Sequence, residues 1–157
     1  AVAAIYDPAA VEAAVDAGAG EYVSVELGGH IEDNGDPITV EAYVRLLSDG
    51  TYRNQGPMST GLQVSFERTA VLQVDGIDVI VGSHRQQPYD PEVFRCHGIT
   101  PERQRVLVLK STVHYRAALE PIAGAVREVS APGLCSPDLS SFEYEYVGRP
   151  RYPLDDW

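Results

Sequence analysis

Cysteine is scarce in this chain of 157 residues: Cys96 and Cys135 stand far apart and form no CxxC pair. That excludes a disulfide framework or a cysteine zinc knuckle, and a reducing, cytoplasmic setting is expected. Basic residues are also few, 12 Lys and Arg against 23 Asp and Glu, for a formal charge of −11. Such a surface repels phosphate backbones and anionic lipid headgroups, so neither nucleic acid nor a membrane is an expected partner. No apolar run approaches the roughly 20 residues of a membrane helix, and no basic region followed by an apolar stretch opens the chain. A soluble chain is expected. Catalytic signatures are missing as well. His30, His84, His97 and His114 show no HxxxH or HExxH spacing, and no GxSxG elbow occurs. Cys96 falls on an expected helix without an evident histidine base, its neighbour His97 pointing away from it. The Gly28-Gly29 pair lacks a GxGxxG or GK[ST] context and reads as a turn. No catalytic residue, metal ligand or cofactor is therefore assigned within this chain.

What is present is a composition of 44% hydrophobic residues, enough for one globular domain with a sizeable core. The run from Ala1 to Tyr6 reads as a buried strand, and a strand that opens at residue 1 without Met implies missing upstream sequence. Helix starts are marked by Asp7-Pro8, Asp90-Pro91 and Thr100-Pro101, each a capping side chain before a proline whose absent N–H costs nothing at the first helical position. The spacing predicts helices over 8–17, with Val11, Ala14 and Val15 inward and Gly18 as terminator, and over 91–97, with no more than a turn or two after Thr100. Strands are expected over 22–27 and 38–47 as an antiparallel pair joined by a polar loop over 28–37. Ser48-Asp49-Gly50 and Asp75-Gly76 mark turns into 51–53 and between 69–74 and 77–81.

From residue 77 onward the order changes to strand 77–81, helix 91–97, strand 106–109, helix about 112–124 kinked or shortened at Pro121, and strand 125–129. The expected class is thus α/β, a mixed sheet with antiparallel hairpins in the N-terminal part and parallel βαβ units in the C-terminal part. The expected division is a single domain over 1–157, with a β-rich part over 20–82, a βαβ part over 77–130 and an extended tail over 131–157. Ligands of such sheets gather beyond the carboxyl ends of parallel strands. That rule selects Ser83 to Asp90 and Lys110 to His114, and from them Arg85, Gln87, Lys110, Ser111 and His114 as a substrate-binding cluster suited to a carboxylate or small anion. Local readings stand beside it: Ser111 and Asp90 as helix caps, Arg85 paired with a surface acid, and His114 as a base, a metal ligand or a locally bonded histidine.

Several short stretches occur together and in order: Ile5-Tyr6-Asp7-Pro8-Ala9-Ala10-Val11, Ser48-Asp49-Gly50, Gly56-Pro57-Met58, Ser83 through Asp90, Lys110 through Ala118, Pro132-Gly133-Leu134 and Arg149 through Asp155. In these the chain resembles, over nearly its whole length, the C-terminal domain of the microcystinase C (MlrC) metallopeptidase-like family. Tyr115 stands where that pattern has phenylalanine, and Gly82 where it has a hydroxyl residue. The resemblance implies a larger protein of bacterial type, whose N-terminal domain carries the zinc ligands of a peptidase that degrades linearised cyclic peptides. That metal-binding domain is absent from this sequence, and none of its ligands is carried over. The implied role is an interdomain substrate cleft for a peptide, completed by the missing N-terminal domain and inactive alone. The alternative is a dimerising or structural part of the same parent, a homo-oligomer through Tyr144, Tyr146, Tyr152 and Trp157.

Overall fold

The computed structural model describes residues 1–29, 35–129 and 138–155. Part of the loop expected over 28–37, with His30, lies outside the described residues, as do Pro132-Gly133-Leu134, Cys135 and Trp157. Strand β1, Val2–Tyr6, leads directly into helix α1, Pro8–Ala17. The Asp7 carboxylate accepts from the Ala10 backbone N–H at 3.0 Å and from that of Gly28 at 3.0 Å. One side chain thus caps the helix and ties it to the strand that follows. The helix ends at Gly18, whose φ of +92° suits glycine and whose N–H donates to the Ala14 carbonyl. Its buried face is Ala10, Val11 and Ala14; Val15, expected inward, is exposed. Small residues let the helix lie close over the sheet.

Strands β2, Tyr22–Leu27, and β3, Ile38–Ser48, pair antiparallel in the register Tyr22 to Tyr43 through Leu27 to Ile38. After the turn at Asp49-Gly50 the chain makes a small separate ladder, β4 Thr51–Arg53 with β5 Gln63–Ser65. It then returns as the hairpin β6, Thr69–Val74, and β7, Ile77–Gly82. Asp75 and Gly76 both have positive φ, 48° and 80°, the conformation that a two-residue hairpin matching the strand twist requires.

The main sheet has the order β2-β3-β6-β7-β1-β8, where β8 is Val108–Leu109, and β1 runs parallel to both β7 and β8. The fold is therefore α/β with a mixed sheet. Helix α1 covers one face, over Val25, Ala42, Val44, Leu72, Val79 and Val81. The other face packs Val71 and Ile80 against Tyr52, Phe66, Val93 and Phe94, so the β4–β5 ladder and the crossover after β7 close the second core. Burial of such side chains stabilises by about 1.5–3 kcal/mol each, which makes this crossover part of the core rather than a loose connection. Among the described residues no helix is long and apolar enough to cross a membrane.

The carboxyl-terminal third differs most from expectation. Helix α2 is the single turn Glu92–Arg95, and the 3-10 turn Pro101–Arg103 follows it. The strand expected over 106–109 shrinks to two residues at the sheet edge, where it has β1 as its one ladder. The helix expected over 112–124 is reduced to α3, Arg116–Leu119, and passes into a 3-10 turn, Glu120–Ile122, at Pro121, which cannot donate to the preceding turn. Residues 125–129 form no strand: their β-branched residues find no neighbouring ladder, and Val129 is 85% exposed.

Candidate functional site at the strand ends

Three strands finish side by side at one edge of the sheet, β7 and β8 flanking β1. Strand β1 lies between β7 and β8, and its last residue, Tyr6, stands beside the segment that follows β7. At the end of β7 the Gly82 carbonyl accepts from the Asp7 N–H at 3.0 Å, fixing the two strand ends together. A Cβ at Gly82 would lie 2.9 Å from the Phe66 Cβ, so the Phe66 side chain occupies the space that a hydroxyl residue there would need.

The segment beyond β7 then lies across the end of β1. The Arg85 guanidinium sits over the Tyr6 ring, 4.6 Å from its centre, a cation–π contact in place of the acidic partner considered for it. Gln87 reaches to the other flank, its Nε2 donating to Ser111 Oγ at 2.9 Å while its Oε1 lies 2.7 Å from His114 Nδ1. Ser111 does not cap a helix, since α3 begins at Arg116. Lys110 is held by its backbone N–H, which donates to the Ala3 carbonyl at 3.2 Å, and its side chain is exposed. Gln87, Ser111 and His114 are thus joined by hydrogen bonds, whereas Arg85 rests separately on Tyr6 of the intervening strand and Lys110 is placed by main-chain pairing.

Sequence reasoning missed the support beneath this edge. Tyr89 meets the His114 ring edge-on with centroids 6.2 Å apart, and its hydroxyl accepts from Asn54 Nδ2 at 3.0 Å. Asn54 is 1% exposed, and its Oδ1 has no hydrogen-bond partner among the described residues. An unmet buried carbonyl costs about 1–3 kcal/mol, and the bond from the other amide atom to Tyr89 offsets part of that cost. Asp90 is 1% exposed and its carboxylate accepts three backbone N–H groups, those of Gln55 at 3.1 Å, Gly56 at 2.8 Å and Glu92 at 2.9 Å. It is therefore more than a local cap, because it pins the loop after β4 to the segment that carries Arg85 and Gln87. A Cβ at Gly56 would stand 2.8 Å from that of Ala118 and 3.0 Å from Asp90 Oδ2, which is why this contact takes glycine. The available signal was the Asn54-Gln55-Gly56-Pro57 turn.

The donors present do not fit zinc, which takes at least three protein ligands. His97 is fully buried with its Nδ1 2.7 Å from the Val93 carbonyl and its Nε2 3.1 Å from Ser48 Oγ. The Val93 carbonyl takes the Nδ1 proton, and burial holds the ring's pKa below the usual histidine value. Cys96 Sγ approaches His97 Nδ1 at 3.2 Å, so the two side chains do not diverge as expected, α2 having already ended at Arg95. Desolvation, with the Glu92 carboxylate adding to it, pushes that thiol up to about 12, which leaves it protonated at neutral pH. Among the described residues no three His, Cys, Asp or Glu side chains come together to hold a metal.

A family model described as the MlrC C-terminus matches residues 1–146. The chain is 28% identical over 152 residues to Microcystinase C of Sphingomonas sp., a match that covers 96% of this chain and 28% of that protein. Its structure is similar to the crystal structure of a candidate metallopeptidase from Mesorhizobium sp. BNC1, with a TM-score of 0.88 and 30% sequence identity, over 99% of this chain and 31% of that one. The chain spans under a third of the length of either.

Proposed function

Since the chain belongs to the MlrC C-terminal family, we propose that it forms the non-catalytic wall of a substrate cleft in a larger metallopeptidase-like hydrolase acting on linear peptides in the cytoplasm. In this reading residues 1–157 are one unit, and the metal-bearing domain of the same polypeptide faces the edge where β7, β1 and β8 end. Zinc belongs to that other domain, and no bond-breaking step is assigned to the residues described above. Their work is to bind and orient. Arg85 and Lys110 supply positive charge for a peptide carboxylate, and Gln87, Ser111 and His114 supply hydrogen-bonding groups.

The observation that carries this reading is the Gln87 amide, which joins Ser111 to His114 beside the Arg85–Tyr6 contact. A hydrogen-bonded polar strip at an exposed strand end, in a chain with so few cations, is costly to order without a ligand to meet. The test is made in the longer protein that contains this segment. Arg85→Ala or Lys110→Ala should each raise KM for a linear peptide about tenfold, the scale of one lost charge-assisted bond, with the metal content unchanged. Unaltered KM in both variants rules the reading out.

A further inference from the structure

We propose that the strand-end strip reads one particular chemical unit, the last peptide bond of a linear peptide together with its free carboxylate, and that Gln87 is the positioning residue that sets the polarity of the strip. This rests on the cleft reading above and adds to it the direction of each hydrogen bond. Gln87 Nε2 donates to Ser111 Oγ at 2.9 Å, which occupies a lone pair of that hydroxyl and leaves its proton to be given elsewhere. Gln87 Oε1 can only accept, so the His114 Nδ1 at 2.7 Å carries the proton. In the neutral ring, Nε2 is then left with a lone pair. One amide therefore makes Ser111 an outward donor and His114 an outward acceptor.

A donor and an acceptor offered side by side complement a peptide group, whose C=O takes the Ser111 proton and whose N–H meets His114 Nε2. The carboxylate that follows a terminal peptide bond needs cations within one residue's reach. Arg85, seated on Tyr6 at 4.6 Å, and Lys110, adjacent in sequence to Ser111, provide them. Tyr89 extends the same logic beneath the ligand: Asn54 holds its hydroxyl at 3.0 Å, and the fixed ring braces His114 from the side. Asp90, the carboxylate nearest in sequence, is buried and turned onto three backbone N–H groups, away from the strip.

The probes are trialanine as the free acid, as its C-terminal amide, and N-methylated at its last peptide nitrogen, with dissociation constants measured by calorimetry on the longer metal-loaded protein. The acid should bind about tenfold more tightly than either the amide or the N-methyl peptide, the scale of one hydrogen bond or one ion contact each. Gln87→Ala should weaken the acid about fivefold and reduce the N-methyl penalty to about twofold or less, because nothing then fixes the His114 tautomer. Gln87→Glu still bridges Ser111 and His114, but its negative charge favours a proton on both ring nitrogens and so turns His114 Nε2 from acceptor to donor. It should therefore lose the N-methyl penalty and bind the acid more weakly than the wild type, although the bridge is kept, an outcome that a merely structural role of Gln87 does not produce. Failure of the acid to bind, equal binding of acid and N-methyl peptide, or an N-methyl penalty untouched by Gln87→Ala overturns the proposal. If Arg85→Ala still raises KM in that event, the cleft reading stands without it; if it does not, both fall.

Discussion

His97 shows at the scale of one residue why a histidine in this chain need not be chemical. Both of its ring nitrogens are engaged, Nδ1 with the Val93 carbonyl and Nε2 with the Ser48 hydroxyl, and the ring is fully buried. Burial lowers its pKa from 6.5, against smaller opposing contributions from the Val93 carbonyl and Asp49. A group whose folded pKa is depressed binds its proton more readily in the unfolded chain, so acid favours unfolding. The His97 contribution is complete above about pH 6.5 and is lost as pH falls through that value toward the lower folded pKa. Urea unfolding at pH 7.5 and 5.5 should show the wild type losing stability by up to about 1.4 kcal/mol per pH unit from this ring, and His97→Asn losing correspondingly less. Equal pH dependence in the two proteins would contradict the assignment. His114 differs from His97 in exposure: it stands at the surface, with Gln87 engaging Nδ1 alone.

Among the elements, those with local signatures were legible in the sequence and those that depend on remote partners were not. Asp7-Pro8 announced α1, and Asp75-Gly76 announced the β6–β7 hairpin, because a cap and a positive-φ turn are properties of adjacent residues. The strand expected over 125–129 failed because a short run containing two valines does not supply a partner strand. Arg85, Gln87, Lys110, Ser111 and His114 could be named from the rule of strand ends, but Tyr6 could not, because the placement of β1 between β7 and β8 follows from long-range pairing. Asn54 and Asp90 were hidden for the same reason, their contacts lying 34 or 35 residues apart in the chain. At this scale Asp90 is the element-joining residue. Replacing it with alanine leaves three backbone N–H groups without their acceptor, and should destabilise the protein by about 2–4 kcal/mol in urea titration. Protection from hydrogen exchange should fall first at Gln55 and Gly56. A change under about 0.5 kcal/mol would mean that the loop after β4 is held by other contacts.

On the scale of the whole molecule, the sheet divides the labour between its two ends and its two faces. Helix α1 and the second core secure β1 and β7 on both faces of the sheet, while β8 holds only a two-residue ladder at the edge. Surface depressions elsewhere, a groove of about 440 Å³ between Tyr144, Tyr146 and Tyr152 and another of about 320 Å³ near Arg45 and Asp78, lie apart from the strand-end residues. With a net charge of −11, the molecule as a whole repels a peptide carboxylate, and under the proposed function Arg85 and Lys110 would counter that field locally. The chain spans under a third of the length of the relatives it matches, and in the proposed reading the wall opposite this strip belongs to the remainder of such a protein.

The central claim is that a linear peptide lies against the ends of β7, β1 and β8. Its most direct measurement is a crystal structure of the longer protein with a linear peptide bound. The expected result is the peptide's terminal carboxylate within about 3 Å of Arg85 or Lys110, the separation of a charge-assisted hydrogen bond, with its last peptide group against Ser111 and His114. A peptide seated in the metal-bearing domain with this strand edge facing open solvent would contradict the account.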